Sequence, residues 1–258
     1  SDEFMMVVNA ATQENDFNEL KMRIKDDSVF ENKSDQIIKI DVQGPTSRDV
    51  ILDLFTKDIK DLKYFGFIHT NILSEKVLIS RTGYTGELGF EIYTSIENGQ
   101  KIWEKLLNHP EVNPAGLGAR DLLRLEMGYS LYGQELTTEI TPIEADLPFF
   151  IDFEKEFPGK EILKKQKANG TRKTKIAFQT DNRRAPRAHY EIFSDDQKSI
   201  GEVTSGIYSP VSETGIGLGY VDAEFSKIGQ KILIKHQKIE LSAEIVELPF
   251  YKESSLKK

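Results

Sequence analysis

Residues 81–92 read RTGYTGELGFEI, and this stretch connects two short β-rich runs of the chain. Three glycines within the seven residues from 83 to 89 let the backbone bend sharply and approach a ligand closely. Side chains alternate along a strand, so Phe90 and Ile92 share one face while Glu91 points to the other. A carboxylate facing a cavity offers two adjacent acceptor oxygens, which match the N–H and NH2 of a guanine-like or pterin ring edge. The alternative is a plain hairpin with a solvated glutamate.

Strand and helix signals alternate on both sides of this stretch. We expect strands at 3–10, 36–41, 77–80 and 89–94, and helices at 14–25, 47–54, 96–108 and 116–127. From residue 175 onward, short β-rich runs recur between turns, which is typical of a small antiparallel barrel. The sequence therefore predicts an α+β region over residues 1–155, a lysine-rich linker over 156–174 and a C-terminal antiparallel β-barrel domain over 175–258.

Composition and charge exclude several classes of protein. The 258 residues carry 42 acidic and 34 basic side chains, a formal charge of −8, which argues against general nucleic-acid binding. The absence of cysteine excludes disulfides, thiol nucleophiles and cysteine-ligated metals, and the four scattered histidines give no metal-ligand spacing, so we expect no metal site. No apolar run approaches the roughly 20 residues of a membrane span. The composition favours a small-molecule protein of the cytosol or an organellar matrix.

A strongly apolar helix is expected at 116–127, with the sequence GLGARDLLRLEM. Arg120 and Arg124 are four residues apart, so both should project from one helical face, and Arg120 lies near the helix start, where backbone N–H groups favour anions. We expect this helix to be mostly buried, and a buried arginine needs a carboxylate partner or an anionic ligand. The alternative is a surface pair bridging Asp121 or Glu126.

Two further runs are candidate contact sites. Tyr129 and Tyr132 follow the arginine helix directly, and their faces could sandwich a flat ring, although core packing is the commoner use. The two arginines of the run RAPR at 184–187 could contact an acidic partner, or they could simply keep a surface loop solvated. The run GIGLG at 215–219 lacks the spacing and the following helix of a dinucleotide fingerprint, so we reject that interpretation.

Taken together, these segments resemble the aminomethyltransferase of the glycine cleavage system, the T-protein. Ten runs, in the family's order, carry the resemblance along nearly the whole chain: MVVNA at 6–10, VQGP at 42–45, RTGYTGELGFEIY at 81–93, GLGARDLLRLEMGYSLYGQEL at 116–136, TPIEADL at 141–147, PGKEIL at 158–163, RAPR at 184–187, GEVTSGIYSP at 201–210, GIGLGYV at 215–221 and LPFYK at 248–252.

The resemblance implies a multi-lobed fold around a central cavity that holds tetrahydrofolate as co-substrate. It also implies the lipoylated H-protein as partner, with transfer of the methylene carbon from its aminomethyl-dihydrolipoyl arm, release of ammonia and formation of 5,10-methylenetetrahydrofolate. By resemblance, Glu91 binds the pterin edge and Arg120 contacts the substrate in the same hollow. The other positions that match folate-pocket or ligand-contacting residues of the family are Tyr84, Tyr129, Asn9, Tyr251 and, more weakly, Arg187 at the cavity mouth or the partner surface.

One departure from the family's pattern concerns the catalytic residue. In the family, an aspartate that serves catalysis precedes the segment that resembles MVVNA, so we expect it to lie upstream of Ser1 and expect no catalytic residue in this chain. The alternatives to an active transferase are a truncated folate-binding module without catalysis and a related folate-dependent demethylase. The expected location is the bacterial cytoplasm, or the mitochondrial matrix if the protein is eukaryotic, with neither a membrane nor a nucleic acid as partner.

Overall fold

A computed structural model describes residues 3–24 and 27–256 of the chain. The chain forms two compact units. The first comprises Ser1–Gly83, Glu87–Pro114 and Ser255–Lys258, and the second comprises Tyr84–Gly86 and Ala115–Ser254. Each unit has its own sheet and its own hydrophobic core, and each is described separately below.

The first unit is built on a four-stranded antiparallel sheet in the order β1-β4-β3-β2. Its strands are β1 (Ile37–Gln43), β2 (Phe67–Ile72), β3 (Glu75–Ser80) and β4 (Gly89–Ser95). The helices of the unit are α1 (Gln13–Lys21), α2 (Ser47–Leu54) and α3 (Ile96–Leu107). The predicted strands at 36–41, 77–80 and 89–94 and the predicted helices at 47–54 and 96–108 are therefore confirmed, while β2 was not predicted.

Alternation along the strands puts the apolar side chains of this sheet against the helices. Phe90 and Ile92 of β4 are fully buried in a core that also holds Ile51 of α2 and Ile102 of α3. Ser95 caps α3 by accepting a hydrogen bond from the Asn98 N–H. The opposite face of the sheet is thereby left to the polar side chains of the same strands, including Glu91.

The strand predicted at 3–10 is wrong. Over the described residues from 3 onward this run forms no strand, and a 3-10 turn, Ala10–Thr12, follows it. Phe4 is 90% exposed and Met6 is 63% exposed. A strand needs a hydrogen-bonded neighbour, and apolar composition alone does not supply one. The helix predicted at 14–25 is present as α1, but Lys25 lies outside the described residues.

The second unit is built on a closed antiparallel barrel of six strands in the order β10-β5-β8-β7-β6-β9. These strands are β5 (Lys173–Thr180), β6 (Glu191–Phe193), β7 (Ser199–Ser209), β8 (Thr214–Asp222), β9 (Lys231–His236) and β10 (Ile239–Val246). Closure leaves no free sheet edge, and the alternating inward residues, such as Phe178 and Ile234, fill the interior. The predicted α+β class with a C-terminal antiparallel barrel is confirmed, although the three-residue strand β6 was not predicted.

Two helices accompany the barrel, α4 (Leu117–Glu126) and α5 (Lys160–Asn169). Leu125 of α4 packs against Ile216 and Leu218 of β8. The expectation that α4 is mostly buried is wrong, because only its last three residues, Arg124, Leu125 and Glu126, are buried, while Leu117 is 84% exposed. The helix meets the barrel only with its C-terminal end, so its first turns face outward. Within the described residues, no helix of the chain has the length and apolarity needed to cross a membrane.

Candidate functional site

Glu91 occupies the centre of the polar face of the first unit's sheet. In the strand register it lies opposite Asp41 of β1 and Ser80 of β3. Its neighbours Phe90 and Ile92 are fully buried on the other face. The predicted orientation of Glu91 away from these two side chains is confirmed, and its side chain is only 13% exposed. A carboxylate this deeply buried requires partners.

Both carboxylate oxygens of Glu91 have partners on this face. Oε1 accepts a hydrogen bond from Lys39 Nζ at 2.5 Å, and Oε2 accepts one from the Tyr93 hydroxyl at 3.1 Å and another from the Thr82 hydroxyl. Lys39 also forms an ion pair with Asp41 at 3.2 Å. Burial by itself would raise the pKa of Glu91, but the hydrogen bonds from Lys39 and Thr82 outweigh it, so the pKa lies below its usual value. Glu91 is therefore a charged acceptor at neutral pH.

A ligand that binds the Glu91 carboxylate must compete with the donors that already occupy its oxygens. Two carboxylate oxygens accept about four hydrogen bonds in all, and three donors already approach this group. A ring edge that presents two N–H donors needs one free acceptor position on each oxygen. Oε1 holds one donor, Lys39, but Oε2 already holds two, Thr82 and Tyr93, so one hydroxyl must leave Oε2. Lys39 has four rotatable side-chain bonds and a second acidic partner in Asp41, so it can swing aside without becoming unpaired.

The second unit contains an open cavity of about 420 Å³ beside the first turns of α4. Tyr84, Arg120 and Arg187, three of the residues identified from the sequence, line it. Three arginines in its wall, Arg120, Arg124 and Arg187, stand against one acid, Asp121. The wall is therefore cationic and suits an anionic or carboxylate-bearing ligand.

A cation and two aromatic rings form a stack at this cavity. The Arg120 guanidinium carbon lies 4.9 Å from the centroid of the Tyr84 ring, and that ring stacks on Tyr129 with centroids 5.7 Å apart and an interplanar angle of 28°. The Tyr84 hydroxyl donates a hydrogen bond to the Ser130 carbonyl oxygen at 2.6 Å. Burial raises the pKa of Tyr84, and the positive charge of Arg124 offsets part of that rise. Of the two rings, the lining of the cavity includes Tyr84, so the stack meets the cavity through Tyr84 and Arg120.

Arg124 lines the same cavity as Arg120 but is paired with acids of the protein. Its side chain is 2% exposed and forms an ion pair at 3.0 Å with Glu135, which is fully buried. It also pairs with Asp121 at 2.8 Å, which is one of the two acids that the sequence offered for a surface pair. The sequence did not identify Glu135 as a partner, because the two residues are eleven positions apart and meet through a turn. The signal available was an acid in an otherwise uncharged run, YSLYGQEL at 129–136.

Three other residues named from the sequence have distinct settings. Arg187 lines the cavity at the end of the RAPR loop, and this loop lies so close to β7 that a Cβ on Gly206 would lie 2.5 Å from the Pro186 carbonyl oxygen. Tyr251, in the same unit, donates its backbone N–H to the Glu126 carbonyl oxygen at 3.0 Å. Asn9 belongs to the first unit, is exposed, and accepts the Thr12 N–H with its carbonyl oxygen at 3.1 Å. That these residues contact a ligand stays a prediction.

The structure also bears on metal binding. Across residues 3–24 and 27–256, no group of three or more histidine, aspartate or glutamate side chains is placed to hold a metal ion.

Comparison with known proteins identifies the family. The model of the GCVT N-terminal domain matches residues 1–155, and that of the glycine cleavage T-protein C-terminal barrel domain matches residues 173–252. The chain belongs to the aminomethyltransferase family of the glycine cleavage system. It is 40% identical to an aminomethyltransferase of Bacillus cytotoxicus over 260 residues, covering 98% of this chain and 70% of that protein. An aminomethyltransferase of Porphyromonas gingivalis is 42% identical over 258 residues, covering 97% of this chain and 71% of the relative.

A solved structure of the aminomethyltransferase family supports the fold. The crystal structure of glycine cleavage system aminomethyltransferase T from Bartonella henselae matches with a TM-score of 0.86 at 29% identity, covering 95% of this chain and 68% of that one. The resemblance recognised in the sequence is thus confirmed, and the chain is assigned to a family of one-carbon transferases.

Proposed function

We propose that this chain carries out the aminomethyltransferase reaction of glycine cleavage with tetrahydrofolate as co-substrate. The donor is the aminomethyl group on the lipoyl arm of H-protein. Tetrahydrofolate supplies the nitrogens that take the methylene carbon, ammonia leaves, and the products are 5,10-methylenetetrahydrofolate and the dihydrolipoyl form of H-protein. Membership of the family, with matches over both of its domains, supports this assignment.

The observation that carries the folate proposal is the carboxylate of Glu91. It is charged, 13% exposed, and set on the polar face of a sheet whose other face is a packed core. The pterin edge presents a ring N–H and an NH2 side by side, and a carboxylate is the side chain that accepts both at once. On this proposal the pterin displaces the Tyr93 hydroxyl, the longer of the two hydrogen bonds to Oε2, and it displaces Lys39 from Oε1, while Lys39 keeps its ion pair with Asp41.

The cavity of the second unit, taken by itself, also suits a ligand of the folate class. Folate carries an aromatic ring and terminal carboxylates. Tyr84, which stacks on Tyr129, provides an aromatic ring in the cavity wall, and Arg120 and Arg187 provide cations there. We propose that Arg120 acts as a ligand contact while its guanidinium remains over the Tyr84 ring. Asn9 and Tyr251 are weaker proposals, since only the family's pattern supports a ligand contact for them.

The same proposal extends to partner, location and domain boundaries. We take lipoylated H-protein as the partner and the bacterial cytoplasm as the site of the reaction, because the relatives described above are bacterial. We keep residues 1–155 as the folate-binding region, 156–174 as a linker and 175–258 as the barrel domain. The catalytic aspartate of the family has no counterpart proposed in this chain.

Turnover with defined donors tests the proposed reaction. The chain is mixed with tetrahydrofolate and H-protein that carries an aminomethylated lipoyl arm, and ammonia and 5,10-methylenetetrahydrofolate are measured. Turnover by the proposed reaction should give both products in equal amounts, and it should be absent with H-protein that lacks the lipoyl group. Turnover with small methylamine donors but not with loaded H-protein would instead support a demethylase. Tetrahydrofolate binding without any turnover would support a non-catalytic module.

A further inference from the structure

A buried polar cluster in the second unit lies directly behind the aromatic stack. Its centre is the ion pair between Arg124, 2% exposed, and Glu135, which is fully buried. Arg124 Nε donates to Asp121 at 2.8 Å and Nη2 donates to the Ser205 hydroxyl at 2.8 Å. Glu135 Oε1 accepts the Thr204 hydroxyl at 2.5 Å. Both charges are therefore neutralised and hydrogen-bonded, as a buried pair must be.

The cluster forms hydrogen bonds with the backbone of one short turn, residues 129–131. Arg124 Nη1 donates to the Tyr129 carbonyl oxygen at 3.1 Å. Glu135 Oε2 accepts the Leu131 N–H at 2.9 Å. Between these two bonds, the Ser130 carbonyl oxygen is the acceptor for the Tyr84 hydroxyl at 2.6 Å. The ion pair thus holds the peptide group that anchors Tyr84, through its Leu131 N–H, and the peptide group before it, through the Tyr129 carbonyl oxygen.

The same ion pair also fixes the helix that carries Arg120. Arg124 lies one turn after Arg120 on α4, and its contact with Ser205 attaches that helix to β7 of the barrel. Tyr129 and Arg120 both contact the Tyr84 ring. All three members of the stack are consequently held, through backbone or helix, by Arg124 and Glu135.

We infer that Arg124 and Glu135 are positioning residues for ligand binding: they hold the 129–131 turn and α4 so that Tyr84, Tyr129 and Arg120 keep the spacing needed to bind the co-substrate. This inference rests on the proposed function, since the ligand is tetrahydrofolate. Glu135 is fully buried and acts through its contacts, while Arg124 lines the cavity with a side chain that is only 2% exposed. In a preorganised site, a displacement of the binding side chains by about 1 Å is enough to reduce the function of the site by up to roughly 100-fold. Loss of the ion pair should therefore affect ligand binding more than it affects folding.

The test replaces the pair without leaving a buried charge unpaired. In the double variant Arg124→Met with Glu135→Leu, both charges are removed together, a change that folded proteins often tolerate. We expect near-native circular dichroism and a weakening of tetrahydrofolate binding of at least about tenfold, measured by isothermal titration calorimetry. Arg124→Lys retains a charge opposite Glu135 but cannot reach all four acceptors, so its loss of affinity should be intermediate.

A control on the same helix separates positioning from general stability. Glu126 is also buried, 4% exposed, but its carboxylate accepts the hydroxyl of Ser209, at the end of β7, at 2.6 Å. Glu126→Gln should therefore leave the tetrahydrofolate Kd within about twofold. If the double variant fails to fold, Glu135→Gln serves instead, because its amide cannot accept the Leu131 N–H and the Thr204 hydroxyl with both atoms.

The outcomes distinguish this inference from the proposed function. If the unmodified chain binds no tetrahydrofolate, the folate proposal fails and the positioning role fails with it. If the unmodified chain binds and the folded variants of Arg124 and Glu135 bind within about twofold of it, only the positioning role is overturned. Selective loss in these variants, with Glu126→Gln unaffected, supports both.

Discussion

Replacing Glu91 by alanine should weaken tetrahydrofolate binding strongly while leaving the fold intact. The side chain lies on the polar face of the sheet, away from Phe90 and Ile92, so truncation opens no hole in the core. The pterin edge would lose two hydrogen bonds to a charged acceptor, but Lys39 no longer has to be displaced from Oε1. The net loss is then close to that of one charge-assisted hydrogen bond, about 1.5–3 kcal/mol.

That free energy corresponds to an increase in Kd of roughly 10- to 150-fold. The assay is isothermal titration calorimetry with tetrahydrofolate under anaerobic conditions. Glu91→Gln keeps one acceptor oxygen and the size of the side chain, so it should fall between the native chain and Glu91→Ala. Glu97→Ala is the matched control, because its carboxylate is 80% exposed on α3 and pairs with Lys101. Unchanged affinity in folded Glu91→Ala would refute the reasoning.

Three further predictions concern stability. Gly128→Ala should lower the free energy of unfolding in urea by about 2 kcal/mol or more, because Gly128 has φ +71° and an added Cβ would meet Leu248 at 2.4 Å. The control is Gly133→Ala, at φ +91° with no atom within 4 Å of the added Cβ, which should cost only about 1 kcal/mol of backbone strain. Equal effects of the two substitutions would contradict this account. Phe178→Ala should cost about 3–5 kcal/mol by leaving a cavity in the barrel, while Phe149→Ala, at a residue 90% exposed, should change stability by less than about 0.5 kcal/mol. The pKa of Glu91 is lowered in the folded chain, so its stabilisation is present above the ordinary value of 4.5 and is lost as pH falls through the lowered folded value. The difference in unfolding free energy between the native chain and Glu91→Gln should therefore shrink on acidification, and a difference that grows would contradict the sign.

Periodicity along the chain was enough to predict most of the fold. The alternation of apolar and polar residues identified β4 and the direction of Glu91, and the turn-bounded β runs after residue 175 identified the barrel. The strand at 3–10 failed because an apolar run does not reveal whether a neighbouring strand is there to pair with it. The strand β6 was not predicted, because three residues are too few to show an alternating pattern.

The site was predictable only where its contacts are local. Arg120 and Tyr84 could be chosen from their motifs, but the partner of Glu91 could not, because Lys39 reaches it across strands whose register no local pattern fixes. The same holds for Arg124, whose spacing from Arg120 suggested a shared face. Its ion pair with Glu135 instead depends on the turn between α4 and residue 135, which brings the two charges together inside the unit.

A crystal structure of the chain with tetrahydrofolate bound would test the central claim most directly. The account predicts the pterin ring N–H and NH2 within about 3.2 Å of the two Glu91 oxygens, with the Lys39 ammonium moved from Oε1 to Asp41. A pterin bound elsewhere, with the Lys39–Glu91 ion pair undisturbed, would contradict it.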